Sequence, residues 1–144
     1  MVALYNEKTI FKELVKKYNL NIEKSKPGVV FGELNVSVDF IWKEKDLTFL
    51  FEIDSYNTAK IIFGEYVLLN QVKAYKSNCI LVIIHCYKNY NVKRTEKYLD
   101  YAVGALKCKL PYVVFSNSEW SEIVKIKSKV GLINLIKKRS KTEN

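Results

Sequence analysis

Three carboxylates stand inside segments that otherwise read as β-strands. Asp39 lies in Ser37-Val38-Asp39-Phe40-Ile41-Trp42, and Glu52 and Asp54 lie in Leu50-Phe51-Glu52-Ile53-Asp54. Asp and Glu are unfavourable in strands, so acids there generally have a task, and holding a divalent cation is the commonest. Carboxylate oxygens suit hard cations such as Mg²⁺ and Mn²⁺, which keep several waters of their own. Such an ion makes water more acidic and neutralises phosphate charge, which is the chemistry of phosphodiester hydrolysis.

The flanking elements must bring the acids together. With Lys43-Glu44-Lys45-Asp46 as a turn between antiparallel strands, Trp42 faces Leu47, Phe40 faces Phe49, Val38 faces Phe51 and Val36 faces Ile53. All of these share one apolar face. Ser37, Asp39, Glu52 and Asp54 share the other, because opposed residues point the same way and successive residues alternate. In that register Asp39 sits diagonally from Glu52, with roughly 5–8 Å between β-carbons. A one-residue slip would turn Asp39 into the apolar face, so the hydrophobic pattern fixes the side on which the acids lie. The plainer alternative is an edge hairpin with a solvated acidic face. Leu50 and Ile41 on that same face argue instead for a layer covering it.

The chain has 144 residues, of which 49% are hydrophobic, enough for one domain with its own core. Twenty-four Lys and Arg against fifteen Asp and Glu give a net charge of +9. That surplus favours a polyanionic partner, nucleic acid first and an acidic membrane surface second. The N-terminus lacks a signal-peptide pattern and no apolar run is long enough to span a bilayer, so the chain reads as cytosolic. Cys79, Cys86 and Cys108 make no even disulfide framework. His85-Cys86 has no CxxC pair or second His beside it, which argues against zinc.

Periodicity gives the order of elements. Ile10, Phe11, Leu14, Val15 and Tyr18 predict an amphipathic helix over about 6–18. Lys26-Pro27-Gly28 breaks the chain, Val29 to Leu34 reads as a first strand, and the two acid-bearing strands follow. Asn57-Thr58 caps a long helix running to about Lys76. Cys79 to Ile84 is a continuous apolar run, typical of a strand buried on both faces. Leu99, Ala102, Val103 and Leu106 mark another helix, and Pro111 to Phe115 another buried strand. Ser116 with Glu119 forms a capping-box pattern opening a short helix, although Ile123 to Lys127 also alternates like a strand. Val130 to Lys138 is the last helix. Residues 1–138 thus form a single domain, and 139–144 a polar basic tail.

This order, α-β-β-β-α-β-α-β with a closing helix, predicts an α/β fold with a mixed central sheet flanked by helices. With Val38-Asp39 on the second strand, Glu52-Ile53-Asp54 on the third and a long helix following, it resembles the PD-(D/E)XK nuclease superfamily. That superfamily includes restriction endonucleases and archaeal Holliday junction resolvases. The resemblance covers nearly the whole chain by element order, while the motif itself is short. Val38-Asp39 stands where the family has Pro-Asp, and Glu52-Ile53-Asp54 where it has acid-x-Lys. It implies that Asp39, Glu52 and Asp54 hold one or two Mg²⁺ or Mn²⁺ ions and that the product is a cleaved phosphodiester.

Asp54 departs from that pattern, because the family's Lys orients the attacking water. Some relatives use an acid there for metal, and others carry a substitute Lys on the following helix, where Lys60 stands. Lys60, Gly64, Val67, Gln71 and Tyr75 fall on one helical stripe, and Gln71-x-x-x-Tyr75 matches a pair in nuclease domains of bacterial recombination exonucleases. Gly64 inside the helix calls for close packing or a ligand's approach, with packing the plainer cause. The junction resolvases also carry an upstream Glu at the metal site. Glu33, Glu13 and Glu7 are the candidates, and Glu33 leads because an acid in an apolar strand is the rarer event.

Tyr87-Lys88-Asn89-Tyr90-Asn91-Val92-Lys93-Arg94 mixes aromatic and cationic side chains, suited to phosphate contacts and base stacking. Lys88, Tyr90, Lys93 and Arg94 are its nucleic-acid-binding candidates. Lys125, Lys127, Lys129, Lys137, Lys138, Arg139 and Lys141 make a second basic patch or a solvated tail. The resulting expectation is a metal-dependent endonuclease acting on DNA as a homodimer, without a membrane partner. Its rival is an inactive nuclease-fold module that binds nucleic acid or a protein. Nothing in the sequence separates DNA from RNA.

Overall fold

Apolar residues three and four apart give α1 (Glu7–Tyr18), which buries Ile10, Leu14 and Tyr18. The structure is a computed structural model that describes residues 7–24, 28–30, 34–54, 58–87 and 89–141. Three short strands follow: β1 (Ile22–Lys24), β2 (Gly28–Val30) and β3 (Leu34–Val36). Then come β4 (Phe40–Lys43), β5 (Thr48–Asp54), α2 (Ala59–Leu69) and β6 (Cys79–His85). The chain closes with α3 (Val92–Leu106), β7 (Tyr112–Phe115), α4 (Asn117–Ile123) and α5 (Lys129–Arg139).

The main sheet runs β1-β4-β5-β6-β7. The pairs β1–β4 and β4–β5 are antiparallel, whereas β5–β6 and β6–β7 are parallel. Every residue of β6 and β7 is buried, as befits parallel strands covered on both faces. One face carries Phe40, Trp42, Phe49, Phe51, Ile53, Val82 and Ile84 and is covered by α1, α4 and α5 through Leu14, Trp120 and Ile136. The other carries Ile41, Leu50, Leu81 and Ile83 and is covered by α2 and α3 through Ile62, Tyr66 and Leu99. The expected mixed α/β sheet flanked by helices is therefore what forms.

The acid-bearing hairpin pairs two residues away from the expected register. Phe40 faces Phe51, Ile41 faces Leu50, Trp42 faces Phe49 and Lys43 faces Thr48. The turn spans 44–47, closed by the Glu44 N–H on the Leu47 carbonyl at 2.9 Å. Aromatic stacking accounts for the choice: ring centroids lie 4.3 Å apart for Trp42–Phe49 and 4.8 Å apart for Phe40–Phe51. Each such pair contributes about 0.5–1.5 kcal/mol beyond area burial. A shift of two keeps every side chain of β4 and β5 on its face, so Glu52 still lies opposite the aromatic layer.

Several expectations need correction. The single strand expected over Val29 to Leu34 is replaced by β2 and β3, which pair with each other outside the main sheet. The sheet's first position belongs instead to β1, which the periodicity missed because it is three residues long. Val36 and Val38, expected beside Phe40, pack in the α2/α3 cluster, since the strand alternation breaks before β4 begins at Phe40. The long helix stops at Leu69 rather than Lys76. Asn70 ends it, its side chain donating to the Tyr66 carbonyl at 2.7 Å and accepting from the Lys109 and Leu110 N–H groups. A 3₁₀ turn over Lys73–Tyr75 follows, so Gln71 and Tyr75 are not on one helical stripe.

The capping box at Ser116 and Glu119 is present, and residues 124–127 form no strand. Arg139 and Lys141, expected in a tail, are engaged instead. Arg139 pairs with Glu119 at 4.9 Å from the Phe115 ring centroid, and the Lys141 backbone bridges to Tyr112. All three cysteines are buried and unlinked.

Candidate functional site

Strand β5 places Glu52 and Asp54 on the sheet face covered by α2 and α3, and β4 begins one residue after Asp39. Continuing the hairpin register by one residue sets Asp39 across from Glu52, directly rather than diagonally. The Asp39 N–H donates to the Phe51 carbonyl at 2.9 Å, and the Ile53 N–H donates to Asp39 Oδ2 at 2.6 Å. The carboxylate thus takes over a ladder position that β4 no longer fills, which fixes it beside β5.

Glu52 meets an acid that the sequence reading did not single out. Glu65, on α2, forms a side-chain hydrogen bond with Glu52, and its Oε2 is buried without a donor opposite it. Burial first, then the charge of Asp39, and then Glu65 and Asp54 push the Glu52 carboxyl up to about 10. Burial and the charge of Asp54 likewise raise Glu65. Two half-buried carboxyls in hydrogen-bond contact share a proton, because both cannot stay ionised side by side. A signal for Glu65 was available. It is the only acid in the apolar helix AKIIFGEYVLL, three residues after buried Ile62 and four before buried Leu69.

Asp54 has a different environment. Its Oδ2 accepts from His85 Nδ1 at 2.7 Å and the Thr58 N–H at 3.2 Å, and its Oδ1 accepts from Thr58 Oγ1 at 3.1 Å. His85 Nε2 lies 2.8 Å from Thr95 Oγ1, which lies 2.7 Å from the Tyr90 hydroxyl. The Tyr90 ring packs 4.1 Å from the imidazole. With the ring proton on Nδ1, every group in the chain Tyr90–Thr95–His85–Asp54 is satisfied. The order resembles a hydrolytic triad, but Thr95 and His85 are both 0% exposed, so no substrate atom reaches the hydroxyl. The network instead ties the ends of β5 and β6 to the starts of α2 and α3. His85, the chain's one histidine, closing an otherwise apolar strand, was its sequence signal.

The remaining candidates are dispersed. Lys60 is exposed at the start of α2, and the α2 side chain that reaches the acids is Glu65. Gln71 is exposed beyond the end of α2. Glu13 lies on α1 and turns toward Trp120, with the sheet between it and Glu52. Glu33 and Lys88 lie outside the described residues, as does the side chain of Glu7. Lys93 and Arg94 are exposed on the first turn of α3, whereas Tyr90 is half-buried in the His85 network. Close packing does not explain Gly64, because a β-carbon there would meet nothing within 4 Å.

Among the described residues no three His, Cys, Asp or Glu side chains converge into a group that could hold a metal ion by themselves. A cation fitting this site is therefore one that retains most of its water and uses one or two carboxylates, the habit of Mg²⁺. Glu52 and Glu65, all-oxygen donors sharing a proton where a cation could take its place, fit that requirement. Among the described residues no Lys or Arg forms an ion pair with either.

No family model matches the chain, and no curated protein matches it. Among solved structures it is similar to the small subunit (R.BspD6I2) of the heterodimeric restriction endonuclease R.BspD6I. The TM-score is 0.58 and the identity 9%, over 83% of this chain and 66% of that one. The chain thus spans just under two thirds of that subunit, and the likeness is one of fold: a restriction endonuclease-like arrangement of sheet and helices.

Proposed function

We propose that the chain is a metal-dependent nuclease that hydrolyses phosphodiester bonds in DNA, with Asp39, Glu52 and Glu65 as its acidic centre. The observation that carries this reading is the pair of carboxyls, Glu52 and Glu65, pressed together under a covered sheet face with no Lys or Arg paired to either among the described residues. Such an arrangement is unfavourable unless something positive completes it. The restriction endonuclease-like fold supports the same reading.

Mg²⁺ or Mn²⁺, when bound, would supply a Lewis acid for the phosphate and a more acidic water. Glu52 and Glu65 would then release their shared proton to solvent and present carboxylate oxygens. Asp39, held by the Ile53 N–H, adds negative charge from the facing strand. Asp54 works differently from the expected ligand: through Thr58 and His85 it fixes the helix and strand ends around the centre. Lys60, Lys93 and Arg94, exposed at the starts of α2 and α3, are the cations that would meet the phosphate backbone. The similar solved structure is one subunit of a heterodimeric enzyme, and by that analogy this chain acts as part of a dimer, in the cytosol.

One rival is a nuclease fold that binds nucleic acid without cutting it, because Asp54 stands where the family pattern has the Lys that orients the attacking water. Cleavage of labelled duplex, single strand, four-way junction and RNA in Mg²⁺ and Mn²⁺ decides between them. Cutting that disappears in Glu52→Ala supports the nuclease and names its substrate. Salt-sensitive binding without cutting, unchanged in Glu52→Ala, supports the rival.

A further inference from the structure

Segments 7–18 and 117–139, which hold α1, α4 and α5, carry ten Lys or Arg against four Asp or Glu. That surplus of six, out of a chain total of +9, sits on about a quarter of the residues. Some of it is neutralised locally: Lys125 by Glu122 at 3.0 Å, Lys129 by Glu44 at 3.3 Å, and Arg139 by Glu119. Lys8, Lys12, Lys16, Lys127, Lys137 and Lys138 are exposed and form no ion pair with a described residue.

Lys8, Lys12 and Lys16 recur every fourth residue, so they form one stripe along α1 with about 6 Å of rise between neighbours. They line an open groove of ≈ 380 Å³ together with Thr9 and Glu13. Glu13, the groove's one described acid, turns into the protein beside Trp120, and its Oε2 is buried. The Tyr18 hydroxyl, on the buried side of α1, donates to the Ile126 carbonyl at 2.5 Å and so ties the end of α1 to the segment that carries Lys125 and Lys127.

We infer that this layer is a nucleic-acid backbone-binding surface separate from the acidic centre, on the opposite face of the sheet from Glu52. It takes the phosphates of a DNA strand through Lys8, Lys12 and Lys16, without reading sequence. A lipid surface fits less well. A helix lying on a bilayer needs apolar side chains to insert, and Ile10, Leu14 and Tyr18 are committed to the core. Val130 is the one described large hydrophobic exposed on this layer. The inference rests on nucleic acid being the partner, but not on the acidic centre being active.

The test is binding of a labelled random-sequence DNA duplex, followed by anisotropy from about 50 to 200 mM salt. Wild type is compared with the triple variant Lys8→Gln, Lys12→Gln, Lys16→Gln and the double variant Lys93→Gln, Arg94→Gln. Each lost phosphate contact lowers the log–log salt slope by about 0.9, so the triple variant should lose roughly 3 in slope. Its low-salt affinity should fall on the order of tenfold to a hundredfold, with an unchanged melting curve. Lys127→Gln with Lys137→Gln and Lys138→Gln should lower the slope as well, and serves if the first variant does not fold. A wild-type slope in both α1-layer variants overturns the inference, as does a loss confined to the Lys93/Arg94 variant. Loss of binding to phosphatidylserine vesicles with DNA binding intact overturns it in favour of a membrane. A wild type that never cuts DNA, yet shows the α1-dependent slope, overturns the nuclease reading alone.

Discussion

Replacing Glu52 by Gln should stabilise the metal-free protein, by an amount that grows with pH. In the folded chain, burial and neighbouring carboxylates raise the Glu52 carboxyl from 4.5 to about 10, whereas in the unfolded chain it titrates in the ordinary range. The sign follows from linkage: a group whose pKa is raised by folding contributes its full stability below the unfolded value. That contribution is lost as pH rises toward the folded value. Between about 4.5 and 10, each pH unit removes about 1.4 kcal/mol from the wild type. At pH 7 the shortfall against a neutral isostere is about 3 kcal/mol as an upper value, since relaxation and water entry ease the repulsion. For a domain of this size 1 kcal/mol moves Tm by roughly 3 °C. Melting curves in EDTA should therefore place Glu52→Gln several degrees above wild type at pH 7, with a gap that widens from pH 6 to pH 8. Titrating groups remote from the centre cancel in the difference between the two proteins, whereas Glu65, in contact with Glu52, contributes to it. Parallel Tm–pH curves, or a Glu52→Gln protein less stable than wild type, would refute the shared-proton account.

Two further substitutions test the surroundings. Asp54→Ala leaves His85 buried without its partner and strips Thr58 of an acceptor, so it should lower stability by about 3–5 kcal/mol, read from the urea midpoint. A loss under 1 kcal/mol would mean that the network contributes little. Gly64→Ala should raise stability by about 0.5–1 kcal/mol, because the new methyl meets nothing and the helix gains propensity. A destabilised Gly64→Ala protein would show that the space is filled in solution.

The hydrophobic pattern made the layers legible, because an even shift of register leaves faces unchanged. The acids could therefore be placed on the face opposite Phe40, Trp42, Phe49 and Phe51 although the pairing itself was two residues away. Register was harder to read. It depended on stacking Trp42 on Phe49 and Phe40 on Phe51, a contest between similar apolar pairs that alternation alone does not decide. The end of α2 was hidden for a related reason. Asn70 stops the helix by reaching Lys109 and Leu110, some forty positions away, and no local rule announces that partner. Strand β1 was too short for its period to register. Glu65 could have been found, since an acid on the buried side of an apolar helix carries the same warning as an acid in a strand. Lys60, in the first turn of α2, lies more than one turn before Glu65, the side chain that reaches the acids.

Glu52 and Asp54 show why residue type alone does not identify a functional acid. They sit two residues apart on one strand, face the same side, and were equal candidates by spacing. Asp54 finds a backbone N–H, a hydroxyl and an imidazole N–H, all supplied by the fold, so its burial stabilises the junction of β5, β6, α2 and α3. Glu52 finds another carboxyl. A protein selected for stability alone would gain by replacing either member of that pair with an amide. Retaining two acids where one donor would do is the pattern expected where an external cation completes the site. Among acids placed alike by the sequence, the one the fold sets against another carboxyl is the one to mutate first.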